Sequence, residues 1–180
     1  MRLNPDYAEG ESTIVCILGI DPGTHRMGYG MVESNTAGDL SSPAWGVLSA
    51  KSSHELGERL HHLYVELSEV MAKFRPDEVA VEEPFVSVNA RTAMAVGQAQ
   101  GLALMAAAAQ GISVSRYPPR QVKQAVSGYG GASKEQVQQA VAMSLDLDAK
   151  AVPEDAADAL AVALCHVQNR RAAGLIAGEV

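Results

Sequence analysis

The 180-residue sequence predicts a single α/β domain, a mixed five-stranded sheet flanked by helices. Three observations carry this expectation. Residues 14–20 (IVCILGI) are almost uniformly apolar and rich in β-branched side chains, as in a strand buried on both faces. Apolar residues at Leu56, Leu60, Leu63, Leu67, Val70 and Phe74 recur at 4-3-4-3-4 spacing, which marks one helical face. A second short apolar run, 78–82 (EVAVE), follows that helix. The resulting strand–helix–strand crossover sets two strands parallel and, with right-handed connection, side by side.

Taken in order, residues 1–13 are polar and of mixed charge and read as a flexible N-terminal extension. A Pro22-Gly23 turn follows the first strand, and 27–33 and 45–50 complete an antiparallel three-strand meander with it. The amphipathic helix ends before Pro76, which cannot continue its hydrogen bonding. Residues 89–110 are Ala-rich and apolar nearly all round, predicting a helix packed on more than one side. Residues 112–117 form the fifth strand. Helices are expected over 119–126, over 133–145 with Ser133 as N-cap, and over 153–167. The domain therefore spans 14–168, with 169–180 as a short tail in which Arg170-Arg171 would serve a helix end or, as the less favoured reading, touch DNA.

Composition narrows the class. Hydrophobic residues make up 47% and charged residues 19%, which is ordinary for a globular chain. Residues 1–10 lack the apolar core of a secretory signal, and the longest apolar run, 102–109, falls far short of the ~18 residues a membrane span needs. The two cysteines, Cys16 and Cys165, sit in apolar surroundings and read as buried thiols, so a cytoplasmic location is expected. The net charge of −7 speaks against a simple electrostatic binder of nucleic acid. Its distribution speaks differently. Residues 84–134 contain no acid at all but carry Arg91, Arg116, Arg120, Lys123 and Lys134.

Parallel neighbouring strands end on the same sheet edge, where open α/β sheets bind ligands. The first ends in Asp21 and the second in Glu82-Glu83, of which only one can share a face with Asp21 because adjacent strand residues point oppositely. The last helix opens with Asp155-Ala-Ala-Asp158, and spacing of three puts both aspartates on one face. Each feature alone has an ordinary structural use, as turn former, solvated rim or helix-dipole partner. Together they place about four carboxylates at one edge, where two of them ~4 Å apart repel by roughly 4 kcal/mol. A divalent cation is the natural counter-charge, and all-oxygen ligands suit Mg²⁺ or Mn²⁺, in all two ions per site. Metal-dependent phosphodiester hydrolysis is the chemistry this favours, with the acid-free basic segment as a track for phosphates. Phe85, in the loop after the acidic pair, is placed either to pack in the core or to stack on an unpaired base.

The motifs Ile-Leu-Gly-Ile-Asp-Pro-Gly-Thr with Gly-Tyr-Gly, Ala-Val-Glu-Glu-Pro-Phe, Gly-Gln-Ala-x-Gly, Arg-Gln-Val-Lys and Asp-Ala-Ala-Asp-Ala-Leu-Ala occur in that order over residues 14–168. Together they resemble the RuvC family, bacterial Holliday-junction resolvases of the RNase H-like superfamily. The resemblance implies an RNase H-like sheet and an endonuclease that resolves four-way DNA junctions by paired symmetric nicks in recombination and repair. It implies metal-binding catalytic roles for Asp21, Glu82, Asp155 and Asp158, with Glu82 rather than Glu83 at the catalytic position. It also implies DNA-binding roles for Phe85, Lys123 and Lys134, to which the charge pattern adds Arg91 and Arg120. Its partners would be four-way junction DNA, a second copy of the chain and the RuvA–RuvB branch-migration complex. Two other classes remain at this level: an ATP-binding protein of the actin/sugar-kinase type, whose first hairpin also carries Asp-x-Gly-Thr, and a junction-binding module without catalysis. The first normally needs a second such domain and a second phosphate loop; the second would be expected to lack one of the four carboxylates.

Overall fold

The apolar run at 14–20 forms β1 (Val15–Asp21), the central strand, and every other element is placed by what covers it. A computed structural model describes residues 14–83 and 90–177, with the backbone alone for 90–92 and 175–177. After β1 come β2 (Arg26–Ser34), β3 (Leu40–Ser41), β4 (Trp45–Ser49), α1 (Leu56–Phe74), β5 (Glu78–Glu82), α2 (Ala90–Ala109), β6 (Ser113–Tyr117), α3 (Pro119–Ser127), α4 (Lys134–Leu145) and α5 (Glu154–Ala177). The sheet runs β3-β2-β1-β5-β6, with β4 also pairing with β2. β1 is antiparallel to β2 and parallel to β5, and β5 is parallel to β6. The expected mixed sheet is present with one addition. β3 is a two-residue strand that continues the edge of β2 beyond β4, too short to leave a pattern in sequence.

Strand parity divides the core in two. Leu18 and Ile20 of β1, Met27 and Met31 of β2, and Val79 and Val81 of β5 face α1 and α2. Ile17, Val32 and Ala80 face the opposite way, toward α5, α3 and α4. Helix ends follow their local chemistry. α1 is closed at its start by a reciprocal capping box between Glu55 and Glu58, and at its end by Arg75 in the left-handed region at φ 49° before Pro76. Ser133 caps α4 as expected, accepting from the Gln136 amide.

α5 is longer than expected. It continues to Ala177 rather than stopping near Val167, because the polar stretch 168–171 that breaks the apolar pattern is held by tertiary contacts. Arg170 donates to Glu78 Oε1 at 2.7 Å, and Arg171 reaches Ser34 Oγ and the Gly38 carbonyl, so neither arginine serves a helix end. One turn earlier, buried His166 links Tyr117 Oη (2.6 Å at Nδ1) to Glu78 Oε2 (2.6 Å at Nε2). Burial pushes the Glu78 carboxyl up, but hydrogen bonds from His166 and Arg170 outweigh it and hold the group below the usual glutamate range. This chain of bonds locks α5 to β5 and β6 and fixes the helix along its axis.

Glycines set how closely α5 lies. Gly19 and Gly30 are cross-strand partners on the α5 face of β1 and β2, as Gly28 is of Asp21. A Cβ at Gly19 would lie 2.0 Å from the Ala159 carbonyl oxygen, and one at Gly28 would lie 1.9 Å from that of Asp155. The helix backbone rests directly on the strand backbones there. That seating carries the first turn of α5 to the end of β1.

Candidate active site

The carboxyl ends of β1 and β5 deliver Asp21 and Glu82 to one edge. Asp21 follows Ile17 and Gly19 on the α5 face of β1; Glu82 follows Glu78 and Ala80 on the same face of β5. Glu83 belongs to the opposite face, where it sits 3.9 Å from Arg116 Nε. The pleat thus separates the two adjacent glutamates as parity requires, and Glu82 is the one at the cleft.

A cleft of about 300 Å³ opens here, lined by Asp21, Glu82, Pro119, Val122, Lys123, Lys134, Val137, Asp158 and Ala161. Three of the four expected carboxylates therefore meet, with two of the expected basic residues beside them. Lys123 enters from the first turns of α3 and Lys134 from the start of α4, so the acid-free segment supplies part of the cleft lining. Lys134 contacts Glu154 and lies 3.7 Å from Asp158 Oδ2. Asp155 stands apart from the cleft lining. Arg26 of β2 donates to its Oδ2 from Nε at 2.7 Å and Nη2 at 2.6 Å. Arg120 lies along the outer side of α3, its side chain against Gly130. Phe85 lies outside the described residues, as does the side chain of Arg91.

The electrostatics are those of anions crowded in a half-dry site. Burial, then the charges of Asp158 and Asp155, push Asp21 up to about 7, while Lys134 pulls the other way. Burial, then Asp21 and Asp158, push Glu82 up to about 8. Burial raises Asp158 as well, against the pull of Lys134. The Lys134 ammonium is held protonated, first by its hydrogen bond to Glu154. Among the described residues no three Asp, Glu, His or Cys side chains stand close enough to ligate one ion as they are. Two protein cations occupy the relevant oxygens, Arg26 on Asp155 and Lys134 on Asp158 and Glu154.

Sequence reasoning missed Arg26. Its signal was its parity with Gly28 and Gly30 on β2, which becomes informative only once α5 is known to lie on those glycines.

The raised acids have a consequence for stability. A carboxylate with a raised native pKa holds its proton to higher pH than the unfolded chain does. Its effect is absent below the unfolded value near 4 and destabilises progressively as pH rises through about 7 to 8. The metal-free protein is expected to lose thermal stability between pH 5 and 8.5. Glu82→Gln should remove much of that loss, raising Tm at pH 8.5 by about 5 °C in differential scanning calorimetry, equivalent to ~2 kcal/mol. A flat pH profile shared by both proteins would contradict the crowded-anion reading.

The chain is similar to known proteins in sequence and in fold. Residues 17–166 match the family described as crossover junction endodeoxyribonuclease RuvC. The crossover junction endodeoxyribonuclease RuvC of Syntrophomonas wolfei is 47% identical over 155 residues, covering 86% of this chain and 90% of that one. Its counterpart in Chloroflexus aurantiacus is 50% identical over 149 residues, covering 83% and 90%. Among solved structures, Thermus thermophilus RuvC in complex with Holliday junction substrate superposes with a TM-score of 0.81 at 36% identity, covering 88% of this chain and 96% of that one. The yeast mitochondrial Holliday junction resolvase Ydc2, 15% identical with a TM-score of 0.62, shares the fold. The family match runs from β1 to the middle of α5, and the chain belongs to the RuvC family of crossover junction endodeoxyribonucleases.

Proposed function

We propose that this chain resolves four-way DNA junctions by paired symmetric nicks, using divalent-metal-dependent phosphodiester hydrolysis centred on Asp21, Glu82, Asp155 and Asp158. The observation that carries this reading is the meeting of Asp21, Glu82 and Asp158 with Lys123 and Lys134 in one cleft, in a chain of this family. Family membership over residues 17–166 leaves the ATP-binding alternative without support.

The donor set suits Mg²⁺ or Mn²⁺. Every candidate ligand is a carboxylate oxygen, and a hard cation relieves the mutual repulsion that adds to burial in pushing Asp21 to about 7 and Glu82 to about 8. When bound, such ions activate water and stabilise the charge of a departing 3′-oxygen. The chain's own residues do the rest. Asp21 and Glu82, on adjacent parallel strands, and Asp158 of α5 are the carboxylates that would hold such ions. Lys123 and Lys134 supply positive charge for the scissile and neighbouring phosphates. Pro119, Val122, Val137 and Ala161 add apolar lining that limits water around the reacting atoms. Arg120, Arg91 and Phe85 are assigned to DNA contacts outside the cleft.

A homodimer is part of the proposal, since a junction with two-fold symmetry needs two opposed cuts. α2 supports it. No charged residue occurs from 92 to 115. Met94 and Met105 are exposed at 68% and 66%, just over three turns apart and so on one face, with open space over Gly97 and Gly101 between them. Met105→Glu is expected to shift the protein from dimer to monomer in light scattering at micromolar concentration, and to convert paired nicks into single ones. Cooperation with the RuvA–RuvB complex is proposed on family membership alone. Among the described residues no helix is long and apolar enough to cross a membrane, and a cytoplasmic site of action accords with a DNA substrate.

The test is cleavage of a synthetic mobile four-way junction beside linear duplex of the same sequence, with Mg²⁺ or Mn²⁺. Symmetric paired nicks confined to the junction are expected. Equal cutting of both substrates would remove the structure selectivity, and junction binding without cutting under either metal would leave a binding module.

A further inference from the structure

We propose that Arg26 is a positioning residue whose guanidinium competes with a divalent cation for the Asp155 carboxylate and so sets the metal affinity of the free protein. The inference rests on the metal-dependent reading above and concerns a residue that reading does not use.

The placement is dictated by the fold. Arg26, Gly28 and Gly30 share the α5 face of β2. The first turn of α5 is pressed onto Gly28, where a Cβ would approach the Asp155 carbonyl carbon to 2.5 Å. One pleat further toward the open edge, the side chain at position 26 ends at Asp155. Nε and Nη2 of Arg26 both converge on Oδ2, at 2.7 and 2.6 Å, so one carboxylate oxygen carries two charge-assisted hydrogen bonds. A guanidinium stays charged throughout the working pH range.

Asp155 in turn belongs to a divided set. Lys134 takes up Glu154 and Asp158, and Arg26 takes up Asp155, so each carboxylate of α5's first turns already has a protein cation. An incoming ion that takes Oδ2 of Asp155 must displace Arg26, and one that takes the other oxygen must bear the repulsion of its charge. Arg26 is 59% exposed and is free to swing outward, where a DNA phosphate offers it an alternative anion. Metal loading at Asp155 and phosphate arrival at Arg26 then favour one another.

Mn²⁺ binding to the purified full chain without DNA tests this, by calorimetry and by the electron paramagnetic resonance signal of free Mn²⁺. Arg26→Gln is expected to tighten Mn²⁺ binding by about fivefold to tenfold, and Arg26→Lys, which keeps the charge but loses the paired donors, by less. The gain should shrink as salt rises. The Mg²⁺ concentration for half-maximal junction nicking should fall in parallel. Asp21→Asn runs beside them as the locator of the site. Unchanged or weaker Mn²⁺ binding by Arg26→Gln, with binding lost in Asp21→Asn, overturns the role of Arg26 alone. Mn²⁺ binding that survives Asp21→Asn undiminished overturns the metal site and the Arg26 proposal together.

Discussion

Asp21→Asn is expected to lower junction nicking by on the order of a thousandfold or more, corresponding to ~4 kcal/mol of lost transition-state stabilisation. Junction affinity should be unchanged or tighter. The reasoning is local. Asp21 ends the central strand on the face that meets Glu82 and Asp158, and its carboxylate is pushed up to about 7 by burial and by its acidic neighbours. Asn keeps the size and one oxygen but removes the charge on which a hard cation depends. Removing that charge also removes a repulsion against DNA phosphate, so binding does not suffer. Nicking rates under single turnover and junction binding in Ca²⁺ separate the two effects. Equal loss of binding and cutting would place Asp21 in the DNA interface; near-normal cutting would show that the carboxylate assignment is wrong.

Gly19→Val is expected to destabilise the protein by more than about 4 kcal/mol, enough to remove much of the stability of an ordinary domain. Its Cβ would lie 2.0 Å from the Ala159 carbonyl oxygen and 2.8 Å from the Ala163 amide nitrogen. These are backbone atoms of a helix tied at its other end through His166 and Arg170 to Glu78, and they cannot step aside singly. Lifting α5 off the sheet is the remaining response, and it would carry Asp155 and Asp158 away from Asp21. Gly19→Ala tests the same contact with the smallest possible side chain and should still cost a large part of the effect. Gly57→Ala, in a helix where nothing lies within 4 Å, is expected to be neutral or slightly stabilising. Urea unfolding of the three variants provides the comparison. A well-folded Gly19→Val protein with normal stability would show that the close seating of α5 is dispensable.

Much of the site was legible because it sits at strand ends and at a helix start, where sequence pattern and position are tightly coupled. Asp21 terminates an apolar run, Glu82 terminates another in the same crossover, and alternation along β5 sends Glu82 and Glu83 to opposite faces. Lys123 and Lys134 stood out as cations in a segment without acids, and both line the cleft. Their spacing of three positions predicts that Asp155 and Asp158 act as a pair. In the folded chain they have different partners, Arg26 and Lys134.

What the sequence by itself determined was therefore the kind and order of elements and which edge gathers acid. Those follow from short-range rules: apolar periodicity, the Pro76 stop, the Ser133 cap and the parity of a pleat. The tertiary structure alone decided how near α5 lies to β1 and β2, that its polar continuation past Val167 stays helical, and which cation each carboxylate holds. These depend on residues 88, 92, 129 or 137 positions apart, such as His166 with Glu78, Arg170 with Glu78, Arg26 with Asp155 and Arg171 with Ser34. No local pattern encodes such pairings; they exist only after two backbones have met at a glycine and brought the charges within reach.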